Sequence, residues 1–312
     1  MGELRSKSEH TEAVRTGRRI CVVVNTRSRR GRRLYPEVVR TLRAEGFEPI
    51  RLYPLDDPRR LRATLEAALD VKPDLLVVGG GDGTLSAAVK HVAHRDVALG
   101  VLPLGTTNNF ARSLGLPLDL PGAIRVFHTG KVADIDLGIA GDREFANLAS
   151  FGVSVEVAGK VKPWLKRILG RAAYPLTALT ILPHHQPFRA FITVDGHRHE
   201  LLTHQLNIAN GRFHGGWQVA KDISIDNGRL VAYQLGSGKR LRLLVETLTR
   251  ATTGRWSSLA GGPFVVGREM LLETEPPMAA DVDGEVRLMT PITIRTVPNG
   301  LRVMVPDHFV DS

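Results

Sequence analysis

The run Val77-Val-Gly-Gly-Gly-Asp82-Gly-Thr84-Leu constrains this 312-residue chain more than any other feature. A short apolar stretch from Asp74 to Gly79 leads into it, and helical spacing from Thr84 to Ala93 leads out. Glycines at a strand-to-helix junction remove every Cβ from the turn, so backbone amides can come close to an anionic oxygen. The helix N-terminus that follows adds partial positive charge. A lone glycine pair would read as a bare turn. The longer run, with Asp82 inside it, reads as a phosphate cradle.

The surrounding rhythm repeats strand and helix. Arg19–Asn25, Phe47–Tyr53, Asp74–Gly79 and Val97–Leu102 read as strands; Leu34–Glu45, Pro58–Leu69 and Thr84–Ala93 read as helices. Crossover helices between successive strands imply a parallel sheet, whose ligands sit beyond the carboxyl ends of the strands. Three loops should therefore converge: Asn25 onward, Gly79–Thr84 and Leu104–Asn109. Residues 1–18 read as a frayed polar terminus.

From about Ile139 short alternating runs take over: Phe188–Asp195, Glu200–Ala209, Gly228–Gln234, Glu269–Glu275, Thr290–Thr296 and Gly300–Val305. Asp195-Gly196, Asn227-Gly228 and Asn299-Gly300 supply turns. This predicts an antiparallel β domain with helices near 160–182 and 239–254. The expected fold class is an α/β N-terminal domain with a parallel sheet, followed by an all-β sandwich-like domain. The expected boundaries are 1–138 with a C-terminal return at 297–312, and 139–296 for the β domain.

Composition narrows the function. Single Cys21 excludes an internal disulfide and a cysteine zinc cluster, so a cytoplasmic setting is expected. No apolar run approaches the ~18–20 residues that span a bilayer. Lys and Arg number 42 against 32 acids, a net +10 that favours anionic partners. Two basic groups stand out: Arg27–Arg33, and Lys160–Arg171 interleaved with Trp164, Leu165, Ile168 and Leu169. The second has the pairing of apolar face and cationic flank that an interfacial helix needs, and equally that of a packing helix with a wet side.

Other motifs are weaker singly. Leu104-Gly-Thr-Thr-Asn-Asn-Phe-Ala-Arg112 suits hydrogen bonding to a polar ligand, and also suits a helix cap. Asn25-Thr-Arg-Ser-Arg-Arg-Gly31 offers arginine forks for phosphate. Asp281-Val-Asp283-Gly-Glu285 offers carboxylates for a metal or a base, in a sequence that also makes an ordinary hairpin turn. A Walker loop, Gly-x-Gly-x-x-Gly, a His-Glu-x-x-His zinc motif and a Gly-x-Ser-x-Gly elbow are all missing.

Together Gly79–Thr84, Gly105-Thr-Thr-Asn-Asn-Phe-Ala-Arg112, Asp134-x-Asp136 and Asp283-Gly-Glu285 resemble the diacylglycerol kinase catalytic family, in particular its soluble bacterial lipid kinases within the NAD-kinase-like superfamily. Asn147–Gly152, Ala209-Asn-Gly211 and Gly215-Gly216 match that family's second domain. The resemblance runs from about Ile20 to Pro306. It implies ATP bound by Asn25, Thr26, Arg27, Ser28, Gly79, Gly80, Gly81, Asp82, Gly83, Thr84, Leu85 and Thr106. It implies Glu285 as proton acceptor, with Asp82 and Asp283 as further catalytic residues, and Mg²⁺ at Ser224, Asn227 and Arg229; the Mg²⁺ that bridges the phosphates would be held partly by Asp82 and acids of the second domain. Asn227 stands where the family has aspartate, with Asp226 as a substitute; Thr26 stands where the family has proline.

The implied reaction moves the γ-phosphoryl group of ATP onto a primary hydroxyl of a lipid such as diacylglycerol. The lipid would be met at a membrane surface by transient peripheral docking on its inner face, with no nucleic acid as partner; a homodimer is an open option. An NAD-kinase-like small-molecule kinase and a non-catalytic nucleotide- or nucleic-acid-binding protein stand as alternatives.

Overall fold

A computed structural model describes residues 5–16, 19–162, 165, 173–211, 213–214, 217–218, 224–237 and 264–311. The helices expected near 239–254 and over most of 160–172 lie outside the described residues.

Apolar β-branched runs build the first half. β1 (Ile20–Asn25), β2 (Arg51–Leu55), β3 (Leu75–Gly80) and β4 (Ala98–Pro103) pair in parallel in the order β2-β1-β3-β4. Both faces are covered, as a parallel sheet requires. Val22, Val24, Leu75 and Val77 pack under α2 (Arg29–Ala44) and α6 (Leu120–Thr129). Val23, Leu76, Val78 and Leu99 pack under α3 (Leu61–Asp70), α4 (Asp82–Val92) and α5 (Asn109–Ser113). Cys21 is buried in this core, and burial pushes its thiol up to about 11.

Three sequence expectations shift for local reasons. The first 18 residues are not simply frayed. They contain α1 (Lys7–Arg15), with a Ser6–Glu9 capping box, and Val14 and His10 are buried. Arg5 pairs with Asp74 at 2.6 Å and Asp96 at 2.7 Å, tying this end to the mouths of β3 and β4. Phe47 belongs to a helix end, not a strand. Gly46 adopts φ +81°, the Gly46 amide bonds to Arg43 O and the Phe47 amide bonds to Leu42 O, which is a Schellman cap. Arg29 and Arg30 open α2, whose cap is Ser28.

The second half is antiparallel. β5 (Lys131–Ala140) and β6 (Arg143–Phe145) lead to β7 (Leu148–Gly152), α7 (Val153–Lys160) and α8 (Ala173–Ile181). There follow β8 (Phe188–Val194), β9 (His197–Ala209), the short pair β10 (Phe213–His214) and β11 (Trp217–Gln218), β12 (Leu230–Ser237), β13 (Val265–Gly267), β14 (Glu269–Glu275), β15 (Ala279–Val282), β16 (Glu285–Met289) and β17 (Ile292–Val305). Phe151, Leu206, Ile208, Met270 and Ile294 share its core.

Thr290–Thr296 and Gly300–Val305, expected as two strands around a turn, form the single strand β17. Asn299 takes φ +54°, and the register against β5 slips between Val297 and Leu301. The Asn-Gly pair makes a bulge, not a hairpin. β17 lies antiparallel to β14 and β5 and meets β4 in parallel at Val303–Leu99, so the halves share one sheet.

Candidate functional site

The site is built where β3 ends and α4 begins. Gly81 is the N-cap and Asp82 the first helical residue, two positions earlier than the sequence spacing suggests. The first amides of a helix have no intrahelical partner. Here they open beside Gly83, where nothing lies within 4 Å of the place a Cβ would occupy. Gly81 abuts the neighbouring loop: a Cβ on Gly105 would stand 2.5 Å from Gly81 Cα. Glycine at position 105 lets the loops after β3 and β4 touch, and a Cβ on Gly81 would be a tight contact, 3.3 Å from Gly105 Cα.

Asp82 reaches across to that second loop. Thr107 Oγ1 donates to Asp82 Oδ2 at 2.7 Å, and the Phe110 amide donates to Asp82 Oδ1 at 3.3 Å. The carboxylate thereby caps α5 from a different helix, a contact that sequence spacing cannot show. Asn108, the N-cap position, takes φ +49°, and its Nδ2 bonds to the carbonyls of Pro103 and Gly105 instead.

The first loop joins the other two. Asn25 Nδ2 donates to Thr84 Oγ1 at 2.9 Å, and Asn25 Oδ1 accepts from the Arg27 amide. Arg30 Nη1 donates to Gly105 O at 2.8 Å. Ser28 Oγ is taken by the Gly31 amide, Thr26 is buried with its amide on Leu55 O, and Leu85 lies in the core. Arg27 and Thr106 are exposed. The convergence of three loops expected from the sheet is thus present. Within it Leu85 points away from the surface and Ser28 is occupied as a cap.

The hairpin β15–β16 closes over α4. Ser86 Oγ, one turn beyond Asp82, donates to Asp283 Oδ2 at 2.8 Å. The same carboxylate accepts from the amides of Ala146 (2.8 Å), Leu148 (3.0 Å) and Asn147 (3.2 Å). Desolvation pushes the Asp283 carboxyl above its usual range, and these donors oppose the shift. Its oxygens are committed to holding the turn, where Asp283 itself adopts φ +51°. Asn147 Nδ2 adds a 3.2 Å bond to Ser86 Oγ. Ser86 is a site residue whose spacing gave no warning, whereas Asn147 opens the Asn147–Gly152 stretch that resembles the family's second domain. Glu285 opens β16 opposite Val282, and its side chain lies outside the described residues.

Ser224, Asn227 and Arg229 lie together in the turn that leads into β12. With its amide oriented to match its neighbours, Asn227 closes on Ser224: Nδ2 donates to the Ser224 carbonyl at 2.9 Å, and Oδ1 accepts from the Ser224 amide at 3.2 Å. Ser224 Oγ bonds to Asp226 Oδ1 at 3.0 Å, and Arg229 is exposed. Among the described residues no group of three or more His, Cys, Asp or Glu is placed to hold a metal ion. Nearby, Asp136 is buried and accepts from the amides of Gly228 (2.6 Å) and Asn299 (3.2 Å). Burial, reinforced by Asp226, raises its carboxyl above the ordinary range.

An α/β lobe with parallel strands and an antiparallel β lobe, joined through β17, define the NAD-kinase-like fold. Residues 19–140 match the diacylglycerol kinase catalytic domain, and residues 147–305 match the YegS C-terminal NAD kinase beta sandwich-like domain. The chain belongs to the family defined by these two domains, the diacylglycerol kinase-like family.

A Staphylococcus epidermidis protein named "Putative lipid kinase" is 31% identical over 235 residues, 74% of this chain and 76% of its own length. A Staphylococcus haemolyticus relative of similar name is 28% identical over the same shares. A Bacillus anthracis structure described as a "putative diacylglycerol kinase" superposes with a TM-score of 0.73 at 22% identity, covering 99% of both chains. No helix among the described residues is long and apolar enough to cross a membrane.

Proposed function

We propose that this protein transfers the γ-phosphoryl group of magnesium-bound ATP to the primary hydroxyl of a lipid. The observation that supports this reading most is the Ser86–Asp283 bond, which brings the glycine-loop helix and the Asp-Gly-Glu hairpin together.

The lipid hydroxyl oxygen bonds to the γ-phosphorus, the bond to the ADP oxygen breaks, and the hydroxyl proton passes to Glu285. Such a reaction asks mainly for positioning and charge neutralisation. The amides at the start of α4 meet the phosphates, and Arg27 and Arg30 add charge at the rim. Asp82 keeps the loop after β4 against the start of α4. Mg²⁺ arrives with the nucleotide as part of the substrate. The membrane is reached by peripheral docking on anionic lipid, for which the segment 160–171, almost wholly outside the described residues, has the composition.

A purified-protein assay with labelled ATP and varied magnesium tests the reading against diacylglycerol, phosphatidylglycerol, ceramide, a sphingoid base and NAD. Label should pass to a lipid, and Glu285→Gln should cut turnover at least ~100-fold, the scale of a lost general base. Label on NAD alone, or on nothing, overturns it. Vesicle sedimentation tests docking: equal binding to neutral and anionic vesicles removes it.

A further inference from the structure

Helix α1 stands outside the catalytic-domain match, which begins at residue 19. It is nonetheless fastened across the end of the α/β lobe opposite the glycine loop. Lys7 pairs with Asp311 at 2.6 Å, the Val132 amide of β5 donates to Thr11 Oγ1 at 2.9 Å, and Arg15 Nη2 donates to Gly130 O at 2.9 Å. A helix of nine residues does not hold itself together in water, so its contacts are what keep it formed.

At its centre His10 is fully buried between a carbonyl and a guanidinium. Nε2 lies 2.8 Å from the Asp74 carbonyl, which only accepts, so Nε2 carries the proton. Nδ1 lies 3.3 Å from Arg302 Nη1, which only donates, so Nδ1 is bare. The two neighbours together select the neutral Nε2–H tautomer. Arg302 cannot turn away. Its Nη1 donates to Asp96 Oδ1 at 2.8 Å, its Nε to Asp134 Oδ1 at 3.3 Å and its Nη2 to Arg5 O at 2.6 Å. It also lies on β17, inside the sheet that joins the lobes. A second proton on His10 would set N–H against N–H, and the element able to yield is α1.

The charges around the ring come from several elements. Arg5 precedes α1, Asp74 precedes β3, Asp96 precedes β4, Asp134 lies on β5 and Arg302 on β17. Asp96 Oδ1, 3.8 Å from Nδ1, favours a proton there, but both Asp74 and Asp96 are already engaged by Arg5. On α6, which also packs on α1, His128 is turned to Phe47 and Glu45 O, and Arg125 is exposed. Within α1 itself, Lys7 is taken by Asp311 and Glu9 by Ser6. Burial is the largest influence and holds the imidazole below its ordinary range; the Asp74 carbonyl and Asp96 pull it up, and Arg5 and Arg302 push it down. A cleft of about 570 Å³, lined by Arg5, Asp74 and Asp96 among others, opens next to these groups and brings water to them.

We propose that α1 is an acid-released clip: at neutral pH the bare Nδ1 of His10 locks it to Arg302 on β17, and protonation of that nitrogen frees the helix as a unit. The inference does not rest on the kinase reading. An unfolded histidine titrates near about pH 6.5. Because the folded ring titrates lower, the clip is at full strength above about pH 6.5 and weakens as pH falls toward the folded value.

Hydrogen exchange read by mass spectrometry on the intact chain, at about pH 7.5 and about pH 5 and corrected for intrinsic rates, tests this. Protection of residues 7–15 should fall at least about tenfold at the lower pH, since each pH step below the unfolded titration multiplies the opened population by up to about ten. Peptides from β1, β3 and β4 should keep their protection. His10→Gln offers an amide oxygen to Arg302 and an amide N–H to Asp74 O without a titrating ring, so its α1 should respond to neither pH. If that variant leaves α1 open throughout, the wild-type ring decides: protection must be lost in step with His10 protonation, followed by NMR of labelled histidine. Equal protection of wild-type α1 at both pH values overturns the proposal. So does the same loss in His10→Gln, or a loss out of step with the ring.

Discussion

Ser86 Oγ donates a 2.8 Å hydrogen bond to Asp283 Oδ2, joining the second turn of α4 to a hairpin 197 positions later. The bond is one of several onto a carboxylate otherwise held by backbone amides. Ser86→Ala should lower stability by about 1.5–3 kcal/mol, as for a hydrogen bond to a charged group. It should also slow turnover more than it raises the KM for ATP, because the hairpin bearing Glu285 loses its tether. Asp283→Asn turns one acceptor into a donor facing amides, and should cost about 1–3 kcal/mol. Urea denaturation with steady-state kinetics checks both; unchanged kinetics in a folded Ser86→Ala protein would show that the tether positions nothing.

Asp82 caps α5 through the Phe110 amide and holds Thr107. Losing a helix cap costs about 1 kcal/mol, so Asp82→Ala should remain folded. Its turnover should nonetheless fall at least ~100-fold, because the loops that meet the phosphates separate. Circular dichroism and a turnover assay on one preparation distinguish this from global unfolding.

Gly83 and Gly105 should respond oppositely to the same added methyl group. The Gly105→Ala Cβ would stand 2.5 Å from Gly81 Cα, where no flexible side chain can yield, so a loss of roughly 1–3 kcal/mol is expected. The Gly83→Ala Cβ meets nothing within 4 Å and gains helix propensity, so stability should hold or rise by up to about 1 kcal/mol. The KM for ATP should nevertheless increase in Gly83→Ala if phosphate occupies that space. Thermal melts with and without ATP separate the two effects.

Asp136 predicts a pH dependence. Burial and Asp226 raise its carboxyl, the amides of Gly228 and Asn299 and the charge of Arg268 pull it down, and the net direction is upward. The unfolded chain titrates this group near 3.9. Its stabilising contribution is therefore fully present below about pH 4 and is lost as pH rises through the folded value. Asp136→Asn should flatten stability against pH on the alkaline side of that window while lowering the plateau, since one amide loses its acceptor. Denaturation midpoints from pH 4 to 8 measure it; an unchanged slope removes Asp136 as the titrating group.

The strand-helix rhythm of residues 19–103, the glycine junction and the change to antiparallel pairing were legible because each depends on neighbours in the chain: periodicity, β-branching, and the missing Cβ of glycine. Element ends were less so. The Schellman cap at Gly46-Phe47 and the bulge at Asn299-Gly300 use residues that equally mark a strand start or a hairpin.

Sequence by itself determined the two-lobe composition and the identity of the three loops that converge beyond β1, β3 and β4. Tertiary structure alone decided that Asp82 would cap a second helix and that Asp283 would be caged by amides from Ala146 to Leu148. It also decided that Ser224 and Asn227 would close on each other, and that His10 would be buried between the Asp74 carbonyl and Arg302. Those outcomes depend on sheet register between distant strands. Register sets which polar atoms meet and which are buried alone, and no local pattern of residues encodes it.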